Sequence, residues 1–153
     1  MPASVAIFCF VLTVTDGDTL RVRCGQQRPE AVRVLAIDAP ESRQAYGPQA
    51  RQNLARLCLR QRAELLPQAH DKYGRLLAQV RCQGQDVAQA QVAAGLAWVY
   101  TRQSGQQGEL AMLQQRAQSE RRGLWAQPRP LAPWDYRQRY AKKMGKKLES
   151  GPN

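Results

Sequence analysis

The opening of the chain constrains the fold most. "VAIFCFVL", residues 5 to 12, runs through "TVTDGD" into "TLRVRC". An apolar stretch, an Asp-Gly pair and an alternating stretch are the pattern of a β-hairpin. No basic segment precedes residues 5 to 12 and no small-residue cleavage site follows, so they read as a first strand and not as the core of a signal peptide. No stretch approaches the ~18 apolar residues needed to span a bilayer, and no membrane partner is expected.

Further β-rich stretches lie at 30 to 37 ("EAVRVLAI"), at about 64 to 68 and at 76 to 82 ("LLAQVRC"). Between the third and fourth strands, "YGPQARQNLARLCLRQR" predicts a helix with Pro48 in its first turn and Ala50, Leu54, Leu57 and Cys58 on one face. A second helix starts near Asp86 and stops at Gly95. A third, over about 107 to 122, presents Leu110, Leu113 and Ala117 and ends at Gly123. Three strands, a helix and two strands is the element order of a five-stranded, Greek-key OB barrel, so the expected class is α+β with three helices. Residues 1 to 126 are expected to form this domain. Residues 127 to 153, with several prolines and then a mostly basic run, read as an exit segment and a mobile tail.

Charge narrows the partners. With 23 Lys and Arg against 12 Asp and Glu, the formal charge of the 153 residues is +11, a field that attracts polyanions such as nucleic acid or anionic lipid. A plain solvated basic surface fits the same count.

Three short segments carry the chemistry: "DGDT" (Asp16 to Thr19), "RVLAIDAPE" (Arg33 to Glu41) and "DKYGR" (Asp71 to Arg75). Singly each is an ordinary turn or strand exit. In this order and at these distances they resemble the staphylococcal nuclease-like (thermonuclease) family, from about Val11 to Tyr100. "RRGLW" (Arg121 to Trp125) and "PW" (Pro133, Trp134) continue the likeness.

The resemblance implies a calcium-dependent nuclease on an OB barrel, acting on DNA and RNA as a monomer. Asp18 and Asp38 match metal-binding carboxylates, and Ala39 the position whose backbone carbonyl joins the metal shell. Many members carry threonine there, so a side-chain hydrogen bond is lost while the carbonyl is kept. Glu41 matches the general base for the attacking water, and Arg33 and Arg75 match the arginines on the scissile phosphate. Lys72, Tyr73 and Tyr100 resemble positions near the substrate cleft, where a ring stacks on a base; a solvated lysine and half-buried aromatics are the alternative reading. Relatives are often exported, which makes a secreted or periplasmic location the expectation.

The residue chemistry agrees. A phosphodiester is an anion that repels hydroxide, so its hydrolysis needs an activated water and neutralised phosphoryl oxygens. Calcium is a hard cation suited to carboxylate, carbonyl and water oxygens. A guanidinium is a planar fork matched to phosphate. A noncatalytic OB-type nucleic-acid-binding module is the alternative, and retention of Asp18, Arg33, Asp38, Glu41 and Arg75 favours the enzyme. A scaffold whose basic tail docks on an acidic protein is a third reading. Asp16 reads as a turn residue, His70 as a loop residue, and Trp98, Trp125 and Trp134 as packing residues.

Four cysteines, at 9, 24, 58 and 82, lack the CxxC spacing of zinc or redox sites. A hairpin turning at Asp16 and Gly17 sets Cys9 opposite Cys24, a candidate disulfide. Three connectivities stay open, Cys58 is also readable as a buried free thiol, and four reduced cysteines in a cytosolic protein are the remaining alternative.

Overall fold

In a computed structural model, residues 5–100 and 107–149 are described. Strand β1 (Ile7–Asp16) turns into β2 (Thr19–Arg23), which leads to β3 (Glu30–Val34) and the short β4 (Ile37–Asp38). Helix α1 (Gly47–Cys58) precedes β5 (Arg62–His70), β6 (Leu76–Cys82) and β7 (Gln85–Asp86). Then come α2 (Val87–Ala93), β8 (Trp98–Val99), α3 (Gln107–Ser119), a 3₁₀ turn (Gly123–Ala126) and α4 (Pro133–Glu149). The sheet runs β3-β2-β1-β5-β6-β7, and a parallel β3–β6 pairing closes it. Five strands therefore form a closed barrel, the OB arrangement expected from the element order.

Closure removes all but short sheet edges and leaves one apolar interior. Alternate residues fill it: Val11, Leu20, Val22, Val32, Leu65 and Val80 are wholly buried. Helix α1 packs on β1 with Ala50, Leu54, Leu57 and Cys58 inward, as its spacing predicts. Asp86 caps α2, its side chain accepting a hydrogen bond from the Gln89 backbone.

The first hairpin differs from expectation in an instructive way. Its two-residue tip is Gly17–Asp18, closed by the pair Asp16 and Thr19, one residue later than the sequence suggests. Two bulges in β1, between Val11 and Thr13 and between Val14 and Asp16, each add one residue to that strand. Together they offset the displaced turn and bring Cys9 beside Cys24. These two form the expected disulfide. Cys58 is not a free thiol: it bridges to Cys82 and ties α1 to β6.

Two other expectations are corrected. His70 is not in a loop but ends β5, paired with Leu76, and its Nε2 lies 2.6 Å from Glu30 Oε1. The segment after residue 126 holds a helix that its composition did not announce. Residues 133 to 149 form a fourth helix, while residues 150 to 153 of the expected tail lie outside the described residues. Pro133 suits a first helical turn, and Trp134 supplies the anchor. Its ring centroid lies 5.6 Å from that of Trp98, which in turn packs edge-on against Trp125 at 4.4 Å. The three tryptophans are packing residues, as expected, and they dock α4 on the barrel.

Candidate active site

Asp18 lies at the tip of the first hairpin, yet it is 5% exposed. Gly17 makes this possible. A Cβ there would lie 2.6 Å from the Ala50 Cβ and 2.8 Å from the Ala39 Cβ, so only glycine lets the tip settle between α1 and the segment after β4. Gln91 of α2, fully buried, fixes the approach: its Nε2 donates to the carbonyls of Gly17 at 2.7 Å and Ala50 at 2.9 Å. The Asp18 carboxylate accepts from the Ala39 backbone N–H at 2.8 Å and from the Thr19 hydroxyl at 3.0 Å. The first and second motifs are thus joined through Asp18 and Ala39.

Arg33, inside β3, aims its guanidinium at the same place. Nη1 donates to the carbonyls of Val34 and Ile37 at 2.7 and 2.8 Å, while Nη2 lies 3.4 Å from Asp18 Oδ2 and 3.5 Å from Asp38 Oδ1. A buried charge demands such partners. Burial pushes the Asp18 carboxyl upward, but the Arg33 charge and its hydrogen bonds outweigh this and hold it below the ordinary aspartate value. Asp38 is held above its ordinary value, burial outweighing the pull of Arg137 and Arg33. Asp16 is pushed up to about 7 by burial and by the adjacent Asp18 charge. Its Oδ1 accepts from the Asp18 backbone at 3.2 Å, as a turn-flanking aspartate does, and its side chain also lines the cavity described below.

Glu41 is positioned by a tight loop. Gln44 Oε1 accepts from the Glu41 backbone N–H at 3.1 Å, and Gln44 Nε2 donates to the Leu131 carbonyl at 2.5 Å. Gly47 allows the loop to close, since a Cβ there would lie 2.0 Å from the Glu41 carbonyl oxygen. Across the site, Asp71 organises the third motif. Its Oδ1 accepts from the backbones of Tyr73 and Arg75, and its Oδ2 takes the Arg75 Nε at 2.7 Å. Despite an opposing desolvation, these bonds hold the Asp71 carboxyl below its ordinary value. Among the described residues none takes the terminal nitrogens of Arg75.

One cavity of about 650 Å³ gathers these groups. Asp16, Asp18, Arg33, Asp38 and Glu41 line it together with Lys72, Tyr73, Arg75 and Tyr100. Tyr73 is 72% exposed, with the Lys72 ammonium and the Arg75 guanidinium 5.2 and 5.5 Å from its ring centre. Tyr100 packs against Trp134 at 6.1 Å between centroids. Ala39 is buried, its backbone N–H on the Asp18 carboxylate, and is not among the residues that line the cavity.

Sequence reasoning missed Arg137, which also lines the cavity. Its Nη2 donates to Asp38 Oδ2 at 2.7 Å, and its Nη1 to Glu41 Oε1 at 2.7 Å and Asp38 Oδ1 at 3.2 Å. It belongs to the segment read as a mobile tail. The available signal was its position three residues after Trp134, on the same side of a helix that a tryptophan holds down.

The donor set suits calcium. Asp18 and Asp38 offer buried hard oxygens of the kind such a cation takes, and Asp16 beside them is pushed up first by burial and then by the Asp18 charge. Among the described residues no three acidic, histidine or cysteine side chains converge as a metal-holding group. A cation held by Asp18 and Asp38 would need further oxygens from backbone or water.

The model of the staphylococcal nuclease homologue family matches residues 31–127. A protein of Escherichia coli named ParB is 38% identical over 138 residues, covering 83% of this chain and 77% of the relative. An uncharacterized endonuclease of Escherichia coli O157:H7 is 37% identical, with 84% of each chain covered. A micrococcal nuclease of Shigella flexneri is 36% identical, covering 83% of this chain and 78% of the relative.

Proposed function

The chain belongs to the staphylococcal nuclease homologue family, and we propose that it is a calcium-dependent nuclease that hydrolyses DNA and RNA, favouring single strands. One observation carries the reading: Asp18, Arg33, Asp38, Glu41 and Arg75, drawn from three separate segments, line one cavity. Fold likeness alone would not assign roles to them.

Asp18 and Asp38, with the Ala39 carbonyl, would hold calcium. When bound, calcium supplies positive charge against the phosphoryl oxygens. Arg75, steadied through its Nε by Asp71, offers its terminal nitrogens to the phosphate as a fork. Arg33 adds a second permanent charge whose orientation is fixed by two backbone carbonyls. Charge that develops on the phosphoryl group therefore meets donors already in place. Glu41, at the cavity wall, accepts a proton from the water that attacks in line with the leaving oxygen.

Lys72, Tyr73 and Tyr100 form the substrate wall. An exposed ring such as Tyr73 stacks on unpaired bases, which supports preference for single strands. The net charge of +11 draws nucleic acid to this surface and disfavours self-association, in keeping with a monomer. Two disulfides support a secreted or periplasmic location, because such bonds persist in oxidising compartments. Among the described residues no helix is long and apolar enough to cross a membrane.

The test is incubation of end-labelled single-stranded DNA and RNA with the protein and calcium, or with a chelator. Fragmentation in calcium alone is expected. Intact substrate in both tubes, with binding retained, would establish the noncatalytic module instead.

A further inference from the structure

The cavity that holds the acids is not the end of the site. A second cavity, of about 290 Å³, lies beyond Glu41 and Arg137, which among the described residues are the two lining both. Its other walls are Ser42, Arg43, Tyr136 and Tyr140. This volume sits at the lower end of small-ligand sites, about 300 Å³.

Its walls combine aromatic rings with guanidinium groups. Tyr136 and Tyr140 are one turn apart on α4, so their rings share a helix face. Tyr140 is 49% exposed, and no other ring among the described residues packs against it. Arg43 is exposed and makes no ion pair with a described residue. Two phenol rings and an uncommitted guanidinium beside a phosphodiester-cleaving cavity match a base and its phosphate in type and sign.

We propose that α4 and the Ser42–Arg43 loop form a second nucleotide subsite, in which Tyr140 and Tyr136 stack on the base flanking the scissile phosphate and Arg43 holds the adjoining phosphate. The substrate strand then passes from the Lys72, Tyr73 and Tyr100 wall, across Glu41, to α4. This inference rests on the nuclease reading of the first cavity. It gives α4 a role the barrel alone lacks: setting how many nucleotides are gripped around the cut.

The test uses the full chain in chelator, where strands are bound and not cut, with a thymidine hexanucleotide carrying one central 2-aminopurine. The wild-type protein is expected to quench the probe by stacking. Tyr140→Ala should lose most of that quench and bind about tenfold more weakly, while Tyr140→Phe, which keeps the ring, should match wild type. Arg43→Ala should lower the salt slope of binding by about 0.7, the value of one single-strand phosphate contact. Thermal melting checks that each variant folds, and Arg43→Ala keeps the proposal open to refutation should the tyrosine variants fail to. Quench, affinity and salt slope all unchanged in folded Tyr140→Ala and Arg43→Ala would overturn the subsite. Cleavage by wild type in calcium is scored separately, so loss of the nuclease reading is distinguishable from loss of the subsite.

Discussion

Arg137 grips the Asp38 carboxylate with both terminal nitrogens, Nη2 to Oδ2 at 2.7 Å and Nη1 to Oδ1 at 3.2 Å, although 99 residues separate the two in the chain. The pair brings the C-terminal helix to the acid cluster. It also sets a guanidinium on a carboxylate that the proposed metal shell needs, and the bond raises the arginine's own pKa further.

Arginine and calcium therefore compete for Asp38. Arg137→Ala is expected to tighten calcium binding about tenfold, read by calorimetric titration of the nucleic-acid-free protein, because a charge-assisted pair no longer has to open. Unchanged or weaker calcium binding in the folded variant would rule the competition out.

Arg33→Lys and Arg75→Lys keep the charge but remove the planar fork. Each is expected to lower kcat/KM on single-stranded DNA by about 10²-fold or more, if the donors act on charge developing in the transition state. Folding is checked by circular dichroism. Rates within about threefold of wild type in both variants would exclude the assigned role.

Gln91 touches no substrate, yet it holds the hairpin tip that carries Asp18. Gln91→Leu leaves the Gly17 carbonyl without this donor and removes the link from the hairpin tip to Ala50 of α1, which should cost about 1–3 kcal/mol of stability in urea unfolding. Gly17→Ala, which forces a Cβ against Ala39 and Ala50, should cost a similar amount and lower activity as well. A Gly17→Ala protein with wild-type stability and rate would show that the tip can settle elsewhere.

Replacing Cys58 and Cys82 by alanine removes the bond between α1 and β6, which closes a loop of 24 residues. The loss expected from chain entropy is about 3 kcal/mol. For a protein of this size that is a drop of roughly 6–12 °C in Tm, measurable by calorimetry without reductant. An unchanged Tm would mean that the bridge adds nothing to the fold.

The local, periodic features were legible in the chain. Alternation in the strands, the apolar face of α1 and the Asp86 cap depend on neighbours a few residues apart, and all appear where the spacing places them. The three motifs were legible too, as a resemblance. The hairpin shows the limit of such reading: Cys9 does meet Cys24, but through two bulges and a displaced turn that no local pattern announces. A bulge is chosen by how the strand must bend to close the barrel, which is a property of the whole sheet.

The C-terminal segment marks the boundary more sharply. Read alone, "PWDYRQRYAKK" is polar and basic and has too little apolar surface to offset the entropy of ordering. It becomes α4 because Trp134 finds Trp98 and Tyr100 at β8, and Arg137 finds Asp38 and Glu41. By itself the chain determined which side chains were available and which short elements they prefer, since those follow from spacing and side-chain chemistry. Only the tertiary structure decided which distant groups share a cavity, because that depends on long-range closure of the barrel and on burial that no window of sequence contains.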